Sequence, residues 1–330
     1  MDVLITSASR KVGLVKAFKR ALSQEDGGNV IAIDASPRSA ALYFADRSYV
    51  VPQGLGEDFL NSVQTICHKH DVKLLIPTRD EELPVFAAIK NAMRHYGVTI
   101  MVPDHHVVDI CRDKRLFLEF CLENGFSIPR TYSLEEISMI SEFPIFIKER
   151  FGKGSKNIFI AKSGDDLIYL LRRISEPIIQ ECIDAKEFTV DLFADFSGRV
   201  ISVVPRERMS ILSGESFVGR TCKNWSIINE SVRLARALGL VGHNTIQCFW
   251  HNGSVKFIEV NPRYGGAANL GFAAGAFTPL YLVRLIMNKE VNPVIGEFKD
   301  GYYMLRYTKD VFLKEREVNQ LERYNQSGTV

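Results

Sequence analysis

The sequence predicts an α/β domain followed by an α+β region of antiparallel strands. Over roughly the first 100 residues, short apolar runs alternate with stretches of helical periodicity, the pattern of βαβ units around a parallel sheet. Further on, apolar runs are joined by short glycine-containing turns, which link antiparallel strands. At 330 residues the chain exceeds a typical single core, so two or three lobes are expected.

Strands are predicted at residues 3–5, 30–33, 74–76 and 99–102, with helices over 12–22 and 59–68 between them. The first turn runs Thr6-Ser7-Ala8-Ser9-Arg10-Lys11-Val12-Gly13, where a dinucleotide fold would carry its glycine fingerprint. GxGxxG is absent, so the backbone has no glycines to let a pyrophosphate approach closely. Asp34 ends the second strand, where such folds bind ribose. A strand-end cap is the better reading of it, and NAD binding is the minority one.

Apolar residues at 46% and charged ones at 24% match an ordinary globular protein. With 41 basic and 39 acidic side chains, no whole-molecule field favours nucleic acid or membrane. Six cysteines, at 67, 111, 121, 182, 222 and 248, lack CxxC spacing. That pattern points to reduced thiols in a cytoplasmic setting, with neither a zinc site nor a disulfide framework. The opening Met1-Asp2-Val3-Leu4-Ile5 reads as a strand, not a signal peptide, and no apolar run reaches membrane-span length. The seven histidines show no metal-ligand spacing.

The middle third changes character. A strand over 143–148 ends in Lys148 and is followed by Phe151-Gly152-Lys153-Gly154-Ser155-Lys156-Asn157, then a strand over 158–160. A glycine-serine loop between antiparallel strands can fold over phosphates with backbone N–H groups and lysine charge. It is not a P-loop, because GxxxxGK[ST] is missing; the bland alternative is a flexible basic hairpin tip. A strand over 177–183 leads into residues 186–193, where Glu187, Thr189 and Asp191 alternate with Phe188, Val190 and Leu192. That is a half-buried strand, turning at Ser197-Gly198 into a return strand over 200–204.

The strongest local signal is a hairpin of strands over 244–250 and 254–260, joined by His251-Asn252-Gly253 and followed by Asn261-Pro262-Arg263. Alternation along a strand puts Glu259 and Asn261 on one face, with Gln247 available on the partner strand. Oxygen ligands with few fixed anchors suit Mg²⁺ when substrate phosphates complete its shell. The alternative is a surface hairpin whose polar side chains face water.

Upstream of the hairpin lies Pro205-Arg206-Glu207-Arg208-Met209, then Glu215 in a glycine turn. Arginine forks hold carboxylates through paired hydrogen bonds, so Arg206 or Arg208 is a candidate clamp for a substrate acid, and Glu215 a candidate receptor for an amine. Incidental charges at a solvated strand end are the competing reading. The small residues of Tyr264-Gly265-Gly266-Ala267-Ala268-Asn269 admit a ligand to backbone N–H groups. A helix from Pro279 to Met287, a strand over 302–307 and a loosely held helix or tail over 314–330 complete the chain.

In this order and spacing, Lys114, Lys148 with its glycine loop, Glu181-Cys182-Ile183, Glu187, Gln247 and Glu259-Val260-Asn261-Pro262-Arg263 resemble the ATP-grasp superfamily. The likeness is greatest to the ATP-binding halves of the carbamoyl-phosphate synthase large subunit, and it runs from the leading α/β domain to about Ala274. It implies a pre-ATP-grasp domain over 1–112, a small lobe with the glycine loop over 113–185 and a large lobe with the metal hairpin over 186–330. It further implies Lys114 and Lys148 on ATP phosphates under Gly154 and Ser155, and the backbone from Glu181 through Cys182 to Ile183 on adenine. Glu187 then serves the ribose, Gln247, Glu259 and Asn261 hold Mg²⁺ (or Mn²⁺), and Arg263 faces the transferred phosphoryl group. Lys148-Glu149 stands where many members have Lys-Pro.

The chemistry that this resemblance implies is ligation of a small carboxylic acid to an amine through an acyl phosphate, with a homodimer as the candidate assembly. Such phosphoryl transfer needs positioning and charge neutralisation and no activated nucleophile on the protein. Carbamoyl-phosphate synthase-like chemistry on carboxyphosphate or carbamate is the alternative within the family. A dinucleotide oxidoreductase and a non-catalytic nucleotide-binding subunit are the rivals from other classes.

Overall fold

The computed structural model describes residues 1–152 and 157–324. Strands β1 (Asp2–Ile5), β2 (Val30–Asp34), β3 (Arg47–Val50), β4 (Val72–Ile76) and β5 (Thr99–Ile100) form a parallel sheet in the order β3-β2-β1-β4-β5. Val3, Leu4 and Ile5 are all fully buried, which is why this strand reads as an unbroken apolar run rather than an alternating one. Helices α1 (Val12–Ser23), α2 (Glu57–Lys69) and α3 (Glu82–His95) are the crossovers. On α1 the buried Leu14, Val15, Phe18, Ala21 and Leu22 recur at helical spacing along one face. The chain leaves β1 towards β2 on one side and β4 packs on the other, so the loops after β1 and β4 sit side by side at a switch point. Such crevices beyond the strand ends are where α/β sheets bind ligands. Asp34 is indeed a cap there, accepting from the amides of Ser9 at 2.8 Å and Ser36 at 3.0 Å.

Helices α4 (His105–Arg112) and α5 (Lys114–Glu123) lead out of this domain. Asp113 starts α5 by accepting from the Arg115 amide at 2.9 Å. A small antiparallel sheet follows, of β6 (Thr131–Tyr132), β7 (Ile145–Glu149), β8 (Ile158–Ala161) and β9 (Pro177–Glu181), in the order β6-β9-β7-β8 and backed by α6 (Gly164–Leu171). Its core is small: Ile145, Ile147, Ala161, Leu167, Ile174 and Ile179.

The largest sheet contains β10 (Lys186–Ala194), β11 (Val200–Leu212), β12 (Glu215–Thr221), β13 (Gly242–His251), β14 (Ser254–Asn261) and β15 (Tyr303–Leu305), all antiparallel, in the order β14-β13-β10-β11-β12-β15. Helix α7 (Trp225–Leu238) covers one face, capped by Asn224 on the Ser226 amide at 3.0 Å and stopped by Gly239 in the left-handed region. Helices α8 (Asn269–Ala274) and α9 (Thr278–Ile286) come after the hairpin, α9 packing on α1. The architecture is thus a parallel-sheet domain followed by two antiparallel lobes, as the change from alternating to hairpin-joined runs predicted. Among the described residues no helix is long and apolar enough to cross a membrane.

Two elements differ from expectation. Strand β11 does not stop at residue 204 but continues to Leu212, pairing with β12 throughout, so Arg206 and Arg208 lie within a sheet and not at a solvated end. Residues 314–324 include a helix, as expected, but are not loosely held. After α10 (Glu315–Asn319), β16 (Glu322–Arg323) pairs in parallel with β3 at the edge of the first sheet, and the Tyr324 amide donates to Val50 at 2.9 Å. The Tyr49 ring and the Lys69 chain capture Tyr324 and Glu322, which composition alone does not reveal.

Candidate active site

A cleft of about 640 Å³ lies between the small and large lobes, with the β4–α3 loop of the first domain at one end. Its apolar walls are Phe146, Ile158 and Ile160 above and Phe249 and Ile258 below, a slot suited to a flat aromatic base. Ile258 was not legible as a site residue. Val255 and Phe257 face the core, and strict alternation would send Glu259 after them. Instead Gln247 pairs with Glu259 and Cys248 with Phe257, leaving Ile258 as the extra residue of a β-bulge. The bulge shifts the phase, so Ile258 and Glu259 both line the cleft and Val260 returns to the core.

The small lobe supplies the cations. Lys148, at the end of β7, is only 6% exposed. Burial pushes its ammonium down to about 8 against the opposing pull of Glu259, and Lys114 pushes it in the same direction as burial. Lys114 opens α5 and donates to the Arg150 carbonyl at 3.2 Å and to that of Gly152. Burial lowers its affinity for a proton too, with Glu259 and Asp80 opposing. Lys114 thereby fixes the near end of the glycine loop; Gly154 and Ser155 lie outside the described residues. Asp113 braces the same place by accepting from Arg150 Nε at 2.7 Å.

At the back of the cleft β9 ends at Glu181, and Cys182 and Ile183 line the wall. The Glu181 carboxylate accepts from Lys256 Nζ at 2.5 Å and from the Arg130 amide at 2.8 Å, so its side chain braces the hinge. Glu187 on β10 faces the cleft, where burial raises its carboxyl against the charge of Arg208.

Gln247 and Asn261 both donate their amide N–H groups to Glu259 Oε1, Asn261 at 3.0 Å. Gln247 Oε1 accepts from Arg208 Nη1 at 2.5 Å, so Gln247 would reach a cation only by turning its amide. Glu259 Oε2 and Asn261 Oδ1 have no hydrogen-bond partner among the described residues. Those two oxygens, beside a triphosphate, fit the sparse protein anchoring of Mg²⁺ or Mn²⁺. Among the described residues no three His, Cys, Asp or Glu side chains form a cluster that could hold a metal ion.

The arginines correct the expectations. Arg206 is 1% exposed, and its Nε and Nη2 hold both oxygens of buried Asp191 at 2.7 and 2.8 Å. Burial alone would raise that carboxyl, but Arg206 and His243 bring it down to about 2. The fork is therefore not open to a substrate acid; only Nη1 lacks a partner, in a side chain that lines the cleft. Arg208 is engaged as well, by Glu187 at 2.8 Å, Gln247 and the Gly214 carbonyl at 2.8 Å. Glu215 is not a free acid: Arg306 Nη1 donates to it at 2.6 Å and Nη2 to the Gly266 carbonyl at 2.7 Å. Arg263 holds Asp80 of the first domain. Arg306 and Asp80 were missed because each lies on a distant segment that no local pattern marks, whereas Asp191 was placed on its strand but not paired with Arg206, because the return strand was expected to end at residue 204.

Residues 111–267 match the ATP-grasp domain, and residues 3–101 match the PylC-like N-terminal domain. Residues 111–267 thus carry an ATP-grasp domain. It is 22% identical over 306 residues to the carbamoyl phosphate synthase arginine-specific large chain of Geobacillus stearothermophilus, covering 86% of this chain and 28% of that one. The chain thus spans about a quarter of the length of such curated relatives. Its fold is similar to the biotin carboxylase domain of Hydrogenobacter thermophilus 2-oxoglutarate carboxylase, solved with MgADP and bicarbonate, at TM-score 0.73 and 16% identity, over 91% of this chain and 73% of that one. It is also similar to the L-amino acid ligase from Bacillus licheniformis, at TM-score 0.66 and 17% identity, over 89% and 77% of the two chains.

Proposed function

We propose that this protein is an ATP-dependent carboxylate–amine ligase, which activates an acid as an acyl phosphate, joins it to an amine and releases ADP and phosphate. The observation that carries the reading is the convergence on one cleft of Lys114, Lys148, Glu259 and Asn261 below an apolar slot. Cys182 and Ile183 would offer main-chain groups to the adenine edge, Glu187 its carboxylate to the ribose and the lysines their charge to the phosphates. Glu259 and Asn261, with Gln247 after an amide turn, would hold Mg²⁺, which neutralises phosphate charge during transfer. Arg263 would meet the equatorial oxygens of the moving phosphoryl group. Arg206 Nη1 and the Glu215–Arg306 pair would bound the acceptor end, the only part of the expected clamp that survives. Closing the cleft excludes water that would hydrolyse the acyl phosphate.

The test is a screen of amino acids, small acids and bicarbonate for substrate-dependent ADP formation, with hydroxylamine as the nucleophile. Bicarbonate-dependent turnover would favour carboxyphosphate chemistry; an acid-dependent hydroxamate supports the ligase. In the supporting case Glu259→Gln should lower turnover by about 100-fold or more, since one of few metal anchors loses its charge. Near-normal turnover of that variant would remove Glu259 from the site.

A further inference from the structure

Arg263 does not hang free in the cleft. Its Nε and Nη2 donate to the two oxygens of Asp80, each at 2.6 Å. Asp80 belongs to neither lobe but to the loop between β4 and α3 in the parallel-sheet domain. That loop is itself fixed from within. Fully buried Glu82 accepts from Thr6 Oγ1 at 2.9 Å, Ser7 Oγ at 2.6 Å and the amides of Thr78 and Arg79 at 3.2 and 3.3 Å. Thr78 Oγ1 donates back to the Thr6 carbonyl at 2.7 Å. One buried carboxylate thus ties together the loops after β1 and β4, and the same loop presents Asp80 to the large lobe. On the other side, the Arg263 amide donates to the Asn261 carbonyl at 2.8 Å, and its own carbonyl accepts from Thr245 at 3.1 Å. The Asp80–Arg263 pair is therefore anchored at both ends, with side chains only 26% and 20% exposed.

We infer that Asp80 is a positioning residue: it holds the Arg263 guanidinium facing the transferred phosphoryl group, so the parallel-sheet domain sets the geometry of a reaction between the other two lobes. The inference rests on the ligase reading above. Asp80 takes Nε and one hydrogen of Nη2, and the Tyr264 carbonyl takes one of Nη1 at 3.3 Å. One N–H of each terminal nitrogen is left for equatorial oxygens. A pre-oriented fork needs no reordering as charge develops, whereas a free arginine must lose its rotamer freedom in the transition state. Because Asp80 also offsets the guanidinium charge, its removal should not weaken ground-state ATP binding.

The full-length chain is titrated with Mg-ATP, and with Mg-ADP plus tetrafluoroaluminate, a mimic of the phosphoryl group in flight. The wild type should prefer the mimic complex. Asp80→Asn should lose about 10- to 100-fold of mimic affinity while Mg-ATP affinity stays within about threefold. Asp80→Glu should recover part of the loss, and Asp80→Asn should add little to the loss caused by Arg263→Lys. An Asp80→Asn protein that keeps the preference for the mimic overturns the inference. So does one that loses both affinities in parallel with its melting temperature, which would make Asp80 a domain clamp only; if Asp80→Asn does not fold, Asp80→Glu decides by the same criteria. A wild type that binds Mg-ATP without preferring the mimic overturns the inference and leaves nucleotide binding intact. A wild type that does not bind Mg-ATP overturns the ligase reading with it.

Discussion

Lys148 is buried beside a second lysine, and burial is the larger of the two effects that hold its ammonium down at about 8. The cost of keeping that charge in the free protein is released when phosphates arrive, which makes nucleotide binding proton-linked. The folded, free protein loses the Lys148 proton as pH rises through about 8, while bound phosphate holds it to higher pH. ATP affinity, measured in EDTA to remove metal, should therefore be level below pH 8 and fall above it, by up to about tenfold per pH unit. Lys148→Arg keeps its charge across that range and should flatten the profile. A flat wild-type profile would show that the Lys148 ammonium does not contact the phosphates. The lysine itself was legible in the sequence as the polar end of an apolar strand. Its displaced titration was not, because that depends on burial in the folded cleft and on the charges of Lys114 and Glu259, from α5 and β14.

The hairpin of β13 and β14 shows what a local pattern can and cannot carry. Its turn was plain: Asn252 and Gly253 take φ of 48° and 80°, the left-handed pair that Asn-Gly favours. Gly253→Val places a β-branched residue in that region and should cost about 1–2 kcal/mol. Urea denaturation should register the loss while Mg-ATP affinity stays unchanged; unaltered stability would mean that the turn is not the two-residue form described. The bulge at Ile258 was invisible, because an inserted residue looks like any other member of an apolar run. Glu259 and Asn261 do share a face, as alternation predicts, but that alternation holds only for the residues beyond the bulge. The continuation of β11 through Pro205 was missed for a related cause. Proline argues against a central strand, yet here its carbonyl accepts from the Cys222 amide just past the end of β12.

At the scale of the whole molecule, the described residues begin and end on the same sheet. Helix α10 and strand β16 return from the large lobe to the edge of β3, where Leu321 packs on one core cluster and Tyr324 on another. This closure was not readable from composition, since the segment is polar and its few apolar residues show no period. It has a consequence for stability and for association. An uncovered parallel-sheet edge offers unpaired backbone groups to other chains, and β16 covers that edge. Truncation after Leu313 should remove the Tyr49–Tyr324 ring contact and the Tyr324-to-Val50 hydrogen bond, about 2–3 kcal/mol together. The melting temperature should then fall by roughly 3–4 °C, with light scattering rising as exposed β3 edges pair between molecules. Mg-ATP affinity should be preserved, because among the described residues the cleft lining ends at Ala267, and Arg306, which pairs with Glu215, is kept by the truncation. If melting and scattering both match the full-length chain, the segment is a tail that rests on the sheet without holding it.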